Sequence, residues 1–151
     1  MPDTSTFVSG AKGKMKLEVS TDGGSTYDFI TNMTVPSLPD TTTESYDTTN
    51  TDITDNYRTF VGGWSEKGEA ACTCMYTQVA WSQLKALDPC SIYDWRLTYT
   101  DAAQTTTDPK FDFQAHLASG PTLQSPTDGA WTIDFGLKGS GDDTYTVGTT
   151  V

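Results

Sequence analysis

Three cysteines, one histidine and nine lysines plus arginines are few for 151 residues, and each scarcity removes a class of chemistry. Cys72 and Cys74 lie two apart on a strand pattern. Side chains so spaced share a face about 7 Å apart, outside disulfide geometry. Reduced, partly buried thiols are expected. Zinc would need a second Cys or His pair at ligand spacing, which Cys90 alone does not supply. His116 stands alone and brings neither a metal site nor a triad with it. The shortage of cations leaves a formal charge of −11, which speaks against nucleic-acid binding through counterion release. No apolar stretch is long enough to cross a bilayer, and Met1–Ser5 does not open a basic-then-apolar leader. A soluble chain made in a cytoplasm, with no membrane contact, is the expectation.

Catalytic signatures are equally scarce. There is no Gly-x-Ser-x-Gly elbow, no glycine-rich phosphate cradle before a helix and no EF-hand spacing. Asp40, Glu44, Asp47, Asp52 and Asp55 fall in one segment, yet they lack the alternate-position spacing and closing bidentate Glu of a calcium loop. Solvated or partner-facing carboxylates are the stronger reading. Asp142 with Asp143, or Asp108 with Asp112, would form a glycosidase pair only on facing walls of a cleft, which sequence does not establish. The chain reads as a non-enzyme without catalytic residues, metal or cofactor.

Alternation dominates what is present. Met15, Leu17 and Val19 fall at every second position, as do Tyr27, Phe29, Thr31, Met33 and Val35. Between them, Ser20–Thr26 centres on Asp22-Gly23-Gly24 and predicts a hairpin turn. It also matches the Asp-box of propellers, where the motif is a structural turn. From Pro36 to Gly63 the chain is rich in Thr, Asp, Ser and Asn, predicting a long polar loop that meets another molecule. Glu69–Gln78 then reads as a strand. Ala80, Trp81, Leu84 and Leu87 follow at helical spacing, with Thr77 as N-cap and Pro89 as stop. Tyr93–Tyr99, Phe111–Leu117 and Trp131–Leu137 again alternate, separated by polar turns over Asp101–Pro109 and Ser119–Gly129.

The expected fold is mainly β: an antiparallel β-sandwich or partly open barrel with one short flanking α-helix. Its organisation would be an N-terminal arm over 1–13, a single domain over 14–138 containing the loop 36–63, and a C-terminal arm over 139–151. Trp81, Trp95 and Trp131 sit at apolar positions and read as core. Trp64, beside Gly62 and Gly63, is the tryptophan free to bind or to anchor the loop.

This order, with Glu44-Ser45-Tyr46-Asp47 in the long loop, Gly68-Glu69 opening the next strand, Gln83, Leu84 and Ala86 on the helix, and Trp131-x-Ile133-x-Phe135-x-Leu137-Lys138-Gly139-Ser140-Gly141 closing the body, resembles the major tail tube proteins of long-tailed, non-contractile (siphovirus-type) bacteriophages. The resemblance spans roughly Gly13 to Gly141. It implies the tail-tube fold and a virion protein of the tail, assembled in the host cytoplasm, six subunits forming each hexameric ring. Stacked rings would form a tube that conducts genomic DNA without binding it specifically, alongside the initiator, tape measure and terminator proteins of a tail. The long loop, through Asp40, Glu44, Tyr46, Asp47, Asp52, Tyr57 and Trp64, would then meet a neighbouring subunit. Polar strand residues Lys16, Glu18, Asp112, Gln114, His116, Thr132 and Asp134 are the candidates for the lumen. Two alternatives remain: a carbohydrate- or receptor-binding β-sandwich, and another ring-forming tail component such as a terminator or distal tail protein.

Overall fold

The computed structural model describes residues 14–30, 33–52, 54–100, 105–107, 109–147 and 149–150. The expected N-terminal arm, 1–13, lies outside them, as do Thr31 and Asp108. The body is one seven-stranded antiparallel sheet, in spatial order β2 (Asp28–Phe29), β1 (Lys14–Ser20), β7 (Tyr93–Thr100), β9 (Lys110–Gln124), β10 (Thr132–Thr146), β6 (Glu69–Met75) and β3 (Met33–Val35). Two further pairs stand apart, β4 (Thr41–Asp47) with β5 (Phe60–Lys67), and β8 (Thr105–Thr107) with β11 (Thr149–Thr150).

The core follows from the alternation. Register sets Leu17 opposite Leu97, Val19 opposite Trp95, and Trp95 opposite Phe113. Leu137, Phe135 and Ile133 similarly oppose Ala70, Cys72 and Cys74. All are buried, so the apolar residues form rows across one face of the sheet. A fully buried Leu or Ile stabilises the fold by about 1.5–3 kcal/mol relative to exposure. The short helix α1 (Gln78–Lys85) covers this core with Ala80 and Leu84. Thr77 caps it as the sequence predicts, its hydroxyl accepting from the Ala80 amide at 3.1 Å.

The sheet curls into a half-barrel, the partly open form of the expected architecture. Strands β2 and β3 occupy opposite edges although Phe29 and Met33 are close in sequence. An extended chain covers at most about 3.6 Å per residue, so the two edges must approach each other. Ile30, in that link, is 2% exposed and donates its amide to the Leu17 carbonyl at 2.8 Å.

That link corrects the single strand expected over Tyr27–Val35. Its alternation placed Ile30 on the polar face, whereas burial of Ile30 breaks the pattern between β2 and β3. The turn before it is as expected. One Asp22 carboxylate accepts from the Ser20 hydroxyl at 2.6 Å, the Ser25 and Thr26 amides at 3.1 and 3.0 Å, and the Thr26 hydroxyl at 2.5 Å. These bonds, the Ser20 hydroxyl first, hold the Asp22 carboxyl far below the ordinary carboxylate range.

Other boundaries move for one reason: pairing continues where apolar alternation stops. Strand β9 runs on to Gln124, so the turn expected over Ser119–Gly129 shrinks to 125–131. Strand β10 runs to Thr146 because its polar second half pairs with Lys110–Gln114, so the arm expected from Gly139 begins inside a strand. Thr105–Thr107, expected within a turn, pairs with Thr149–Thr150. Trp131, expected in the core, is 49% exposed because it precedes β10 at the end of the sheet, where it packs on Tyr76 with ring centres 5.8 Å apart.

Candidate assembly surfaces

The segment expected as a loop over 36–63 is instead the larger part of a β-hairpin. Thr41 pairs with Lys67, Thr43 with Ser65, Tyr46 with Val61 and Asp47 with Phe60, with a register shift between Thr43 and Ser45. Neither strand buries a face, so the apolar alternation that marks other strands is missing from its sequence. The hairpin is closed by polar bonds. The Thr48 amide reaches the Thr59 carbonyl at 2.8 Å, and the Thr59 amide reaches the Thr49 hydroxyl at 3.0 Å.

The seven loop residues separate along this element. Asp40 lies at the root, where its carbonyl accepts from the Gly68 amide at 2.9 Å. Glu44, Tyr46 and Asp47 stand on β4 and Trp64 on β5, while Asp52 and Tyr57 belong to the connection at the tip. Glu44 accepts the Tyr46 hydroxyl at 2.5 Å, which raises the pKa of that phenol and makes it a weaker acid. The Tyr46 ring covers Gly63 so closely that a Cβ there would strike it. Asp47 accepts from the Thr49 amide and faces Arg58 at 3.7 Å, in the open.

Tyr46, Tyr57, Phe60, Val61 and Trp64 are all exposed, Trp64 at 82%. An isolated two-stranded hairpin is marginal in water, and apolar residues gathered on such an element mark an interaction surface. Sequence reasoning missed Phe60 and Val61, whose signal was an apolar pair beside Tyr57 and Trp64 within a polar stretch. It also missed Lys67, and it weighed Asp143 only as half of a carboxylate pair with Asp142. Lys67, at the end of β5, donates to the Thr41 hydroxyl and to Asp143 on β10, both at 2.7 Å.

The second surface is the outward face of the barrel. Register puts Glu18 opposite Arg96, Arg96 opposite Asp112, and Asp112 opposite Thr144. The structure thus brings two of the polar strand residues, Glu18 and Asp112, to one cation. The Arg96 guanidinium bonds Asp112 at 2.7 Å and lies 4.0 Å over the Tyr27 ring. Its bond to Asp112 strengthens its hold on the proton. Gln114 donates to Asp94 at 3.1 Å, Lys16 stands opposite Thr98, and His116 opposite Lys138. Thr132 and Asp134 lie apart from these at the other end of β10, where Asp134 accepts from the Thr73 hydroxyl at 2.8 Å.

The sheet edges form the third surface. Strand β2 pairs only with Glu18 and Val19, and β3 only with Thr73 and Cys74. Among the described residues, most of the outer edge of β6 therefore has no neighbouring strand, and such an edge accepts another chain. Among the described residues, too, no group of three or more His, Cys, Asp or Glu side chains could hold a metal ion, and no helix is long and apolar enough to cross a membrane.

No protein-family model and no curated protein sequence matches the chain. Its fold is shared with solved structures. The C6-symmetric tail of an empty gene transfer agent particle matches with a TM-score of 0.68 at 8% identity, covering 93% of this chain and 100% of the other. A chain of the native gene transfer agent virion matches at 0.65 and 8%, over 93% and 100%. The SPP1 tail tube matches at 0.60 and 12%, over 91% of this chain and 78% of the other. The six-fold baseplate of the anti-feeding prophage matches at 0.59 and 9%, over 95% and 97%. At these identities the likeness is one of fold.

Proposed function

We propose that the protein is a structural subunit of a phage-like tail tube, a component of the virion tail. The observation that carries this reading is the exposed β4–β5 hairpin, with Tyr46, Val61 and Trp64, on a fold shared along nearly its whole length with tail subunits. Copies join through open sheet edges into a ring, as a heterologous interface does when its rotation closes. Six copies per ring is the number favoured by the C6 symmetry of the gene transfer agent tail. Rings stack through the hairpin, where Asp40, Glu44, Tyr46, Asp47, Asp52, Tyr57 and Trp64 contact the next subunit.

DNA passes along the lumen, faced by Lys16, Glu18, Asp112, Gln114, His116, Thr132 and Asp134. Such a wall must not bind phosphate, because each contact releases counterions and adds binding free energy. The pairing of Arg96 with Asp112 and of Lys138 with Glu66 supports this, since it neutralises cations on that face. Assembly in the host cytoplasm, with an initiator, a tape measure and a terminator as partners, belongs to the same reading. The likeness to the anti-feeding prophage baseplate supports a second one, a ring-forming component at the end of a tail.

Negative-stain electron microscopy at rising protein concentration, with size-exclusion chromatography beside it, separates these readings. Hollow tubes are expected for the wild type, and unstacked species for a Val61→Asp, Trp64→Ser double variant. Isolated rings that never stack would favour the baseplate-type component. Normal tubes from the double variant would overturn the role given to the hairpin.

A further inference from the structure

We propose that Lys67 is a positioning residue: its buried ammonium ties the root of the β4–β5 hairpin to β10 and sets the direction in which the hairpin leaves the barrel. The hairpin and the barrel belong to separate sheets, so no strand ladder joins them. Beside the chain itself, which runs from β5 through Gly68 into β6 and from β3 into β4, what joins them is a small set of contacts around Lys67. The Gly68 amide donates to the Asp40 carbonyl at 2.9 Å, and the Gly139 amide to the Gly68 carbonyl at 3.2 Å. Lys138 meets Glu66 at 3.0 Å, but Glu66 is 79% exposed, and such pairs contribute little.

Lys67 differs. Its side chain is 9% exposed, and its ammonium bridges Thr41 at the start of β4 and Asp143 on β10. Three strands of two sheets therefore meet at one cation. Its stem lies against Gly139, where a Cβ would come 2.7 Å from Lys67 Cβ and 3.0 Å from Pro39 Cβ. Pro39, Phe113, Gly139 and Asp143 close round Lys67 on one side, while on the other it borders an open pocket with Thr41, Ser65 and Glu66. A cation whose side chain is so largely withdrawn from water is costly to leave unpaired, which favours the geometry that pairs it.

The proposal takes its purpose from the assembly reading, since a hairpin already aimed at its partner loses less freedom on docking. Its test does not depend on that reading. Hydrogen–deuterium exchange on the purified full chain compares the wild type with Lys67→Met, Asp143→Asn and Lys67→Arg. In the first two, amides of β4 and β5 are expected to exchange about tenfold or more faster while those of β7 and β9 keep their protection. Lys67→Arg, which keeps the cation, is expected to recover most of the hairpin's protection.

Unchanged hairpin exchange in Lys67→Met would overturn the proposal. So would equal acceleration in the barrel, which would make Lys67 a general stabiliser. If Lys67→Met does not fold, the milder Asp143→Asn decides by the same criteria. A wild-type chain that never forms rings or tubes, while these variants still loosen the hairpin, would overturn the assembly reading and leave the Lys67 tether standing.

Discussion

Strands β1 and β4 are both seven residues long and both lie in antiparallel pairs, yet they belong to different kinds of structure. Strand β1 buries Leu17 and Val19 in the barrel, whereas every residue of β4 is exposed. The barrel carries its own reason to be folded, because its rows of apolar side chains leave water together. The hairpin has pairing and turn bonds but no core. Extended pairing without a buried face becomes stable when a second surface covers it. Fold stability is thus concentrated in the barrel, while the hairpin keeps large apolar side chains in water.

The largest expected effect comes from exchanging the fates of two tryptophans. Trp95 is fully buried and donates its indole N–H to the Ala115 carbonyl at 3.2 Å. Trp95→Ala should cost about 3–5 kcal/mol in denaturant unfolding. Trp64→Ala, at an exposed hairpin position, should stay within about 0.5 kcal/mol of the wild type in the isolated chain. Comparable losses in both would erase the distinction.

Acid should separate the regions next. Asp143 is held below the ordinary carboxylate range, first by its bond to Lys67, and Asp22 much further below by its turn. With folded values lowered, the unfolded chain binds protons first as pH falls. The stabilisation is therefore complete above the ordinary carboxylate value, about 4, and lost as pH drops through each folded value. Asp143 should protonate before Asp22, so exchange monitored from pH 5 to 2 should show the hairpin root loosening before the β1–β2 turn. The reverse order would contradict it.

The mildest probe leaves the fold untouched. Cys90 is exposed, while Cys72 and Cys74 are buried, and burial pushes the Cys74 thiol up to about 11 and raises Cys72 as well. An aromatic disulfide reagent at neutral pH should titrate one thiol in the native chain and all three after unfolding. A second thiol reacting under native conditions would show that the barrel opens more readily than its packing implies.

The sequence was legible wherever one face of an element is buried. Leu17, Trp95, Phe113 and Ile133 announce their strands because period-two burial writes itself into residue choice, and Thr77 with Ala80 and Leu84 announces the helix. It was illegible where pairing has no buried face. Thr41–Asp47 reads as a polar loop, and the alternation of β10 stops at Leu137, since backbone hydrogen bonds leave no such trace in side chains. Tyr46, Asp47 and Trp64 could be singled out from composition. The pairing of Lys67 with Asp143 could not, because it depends on strands far apart in the chain.

Ile30 has a mechanical consequence. Its amide bonds β1 just where β2 ends and its side chain enters the core, so this edge of the sheet is pinned to the barrel interior, and a packed interior resists compression. The barrel is then the stiff part of the chain, and its compliance lies in the β4–β5 hairpin, which has no core of its own.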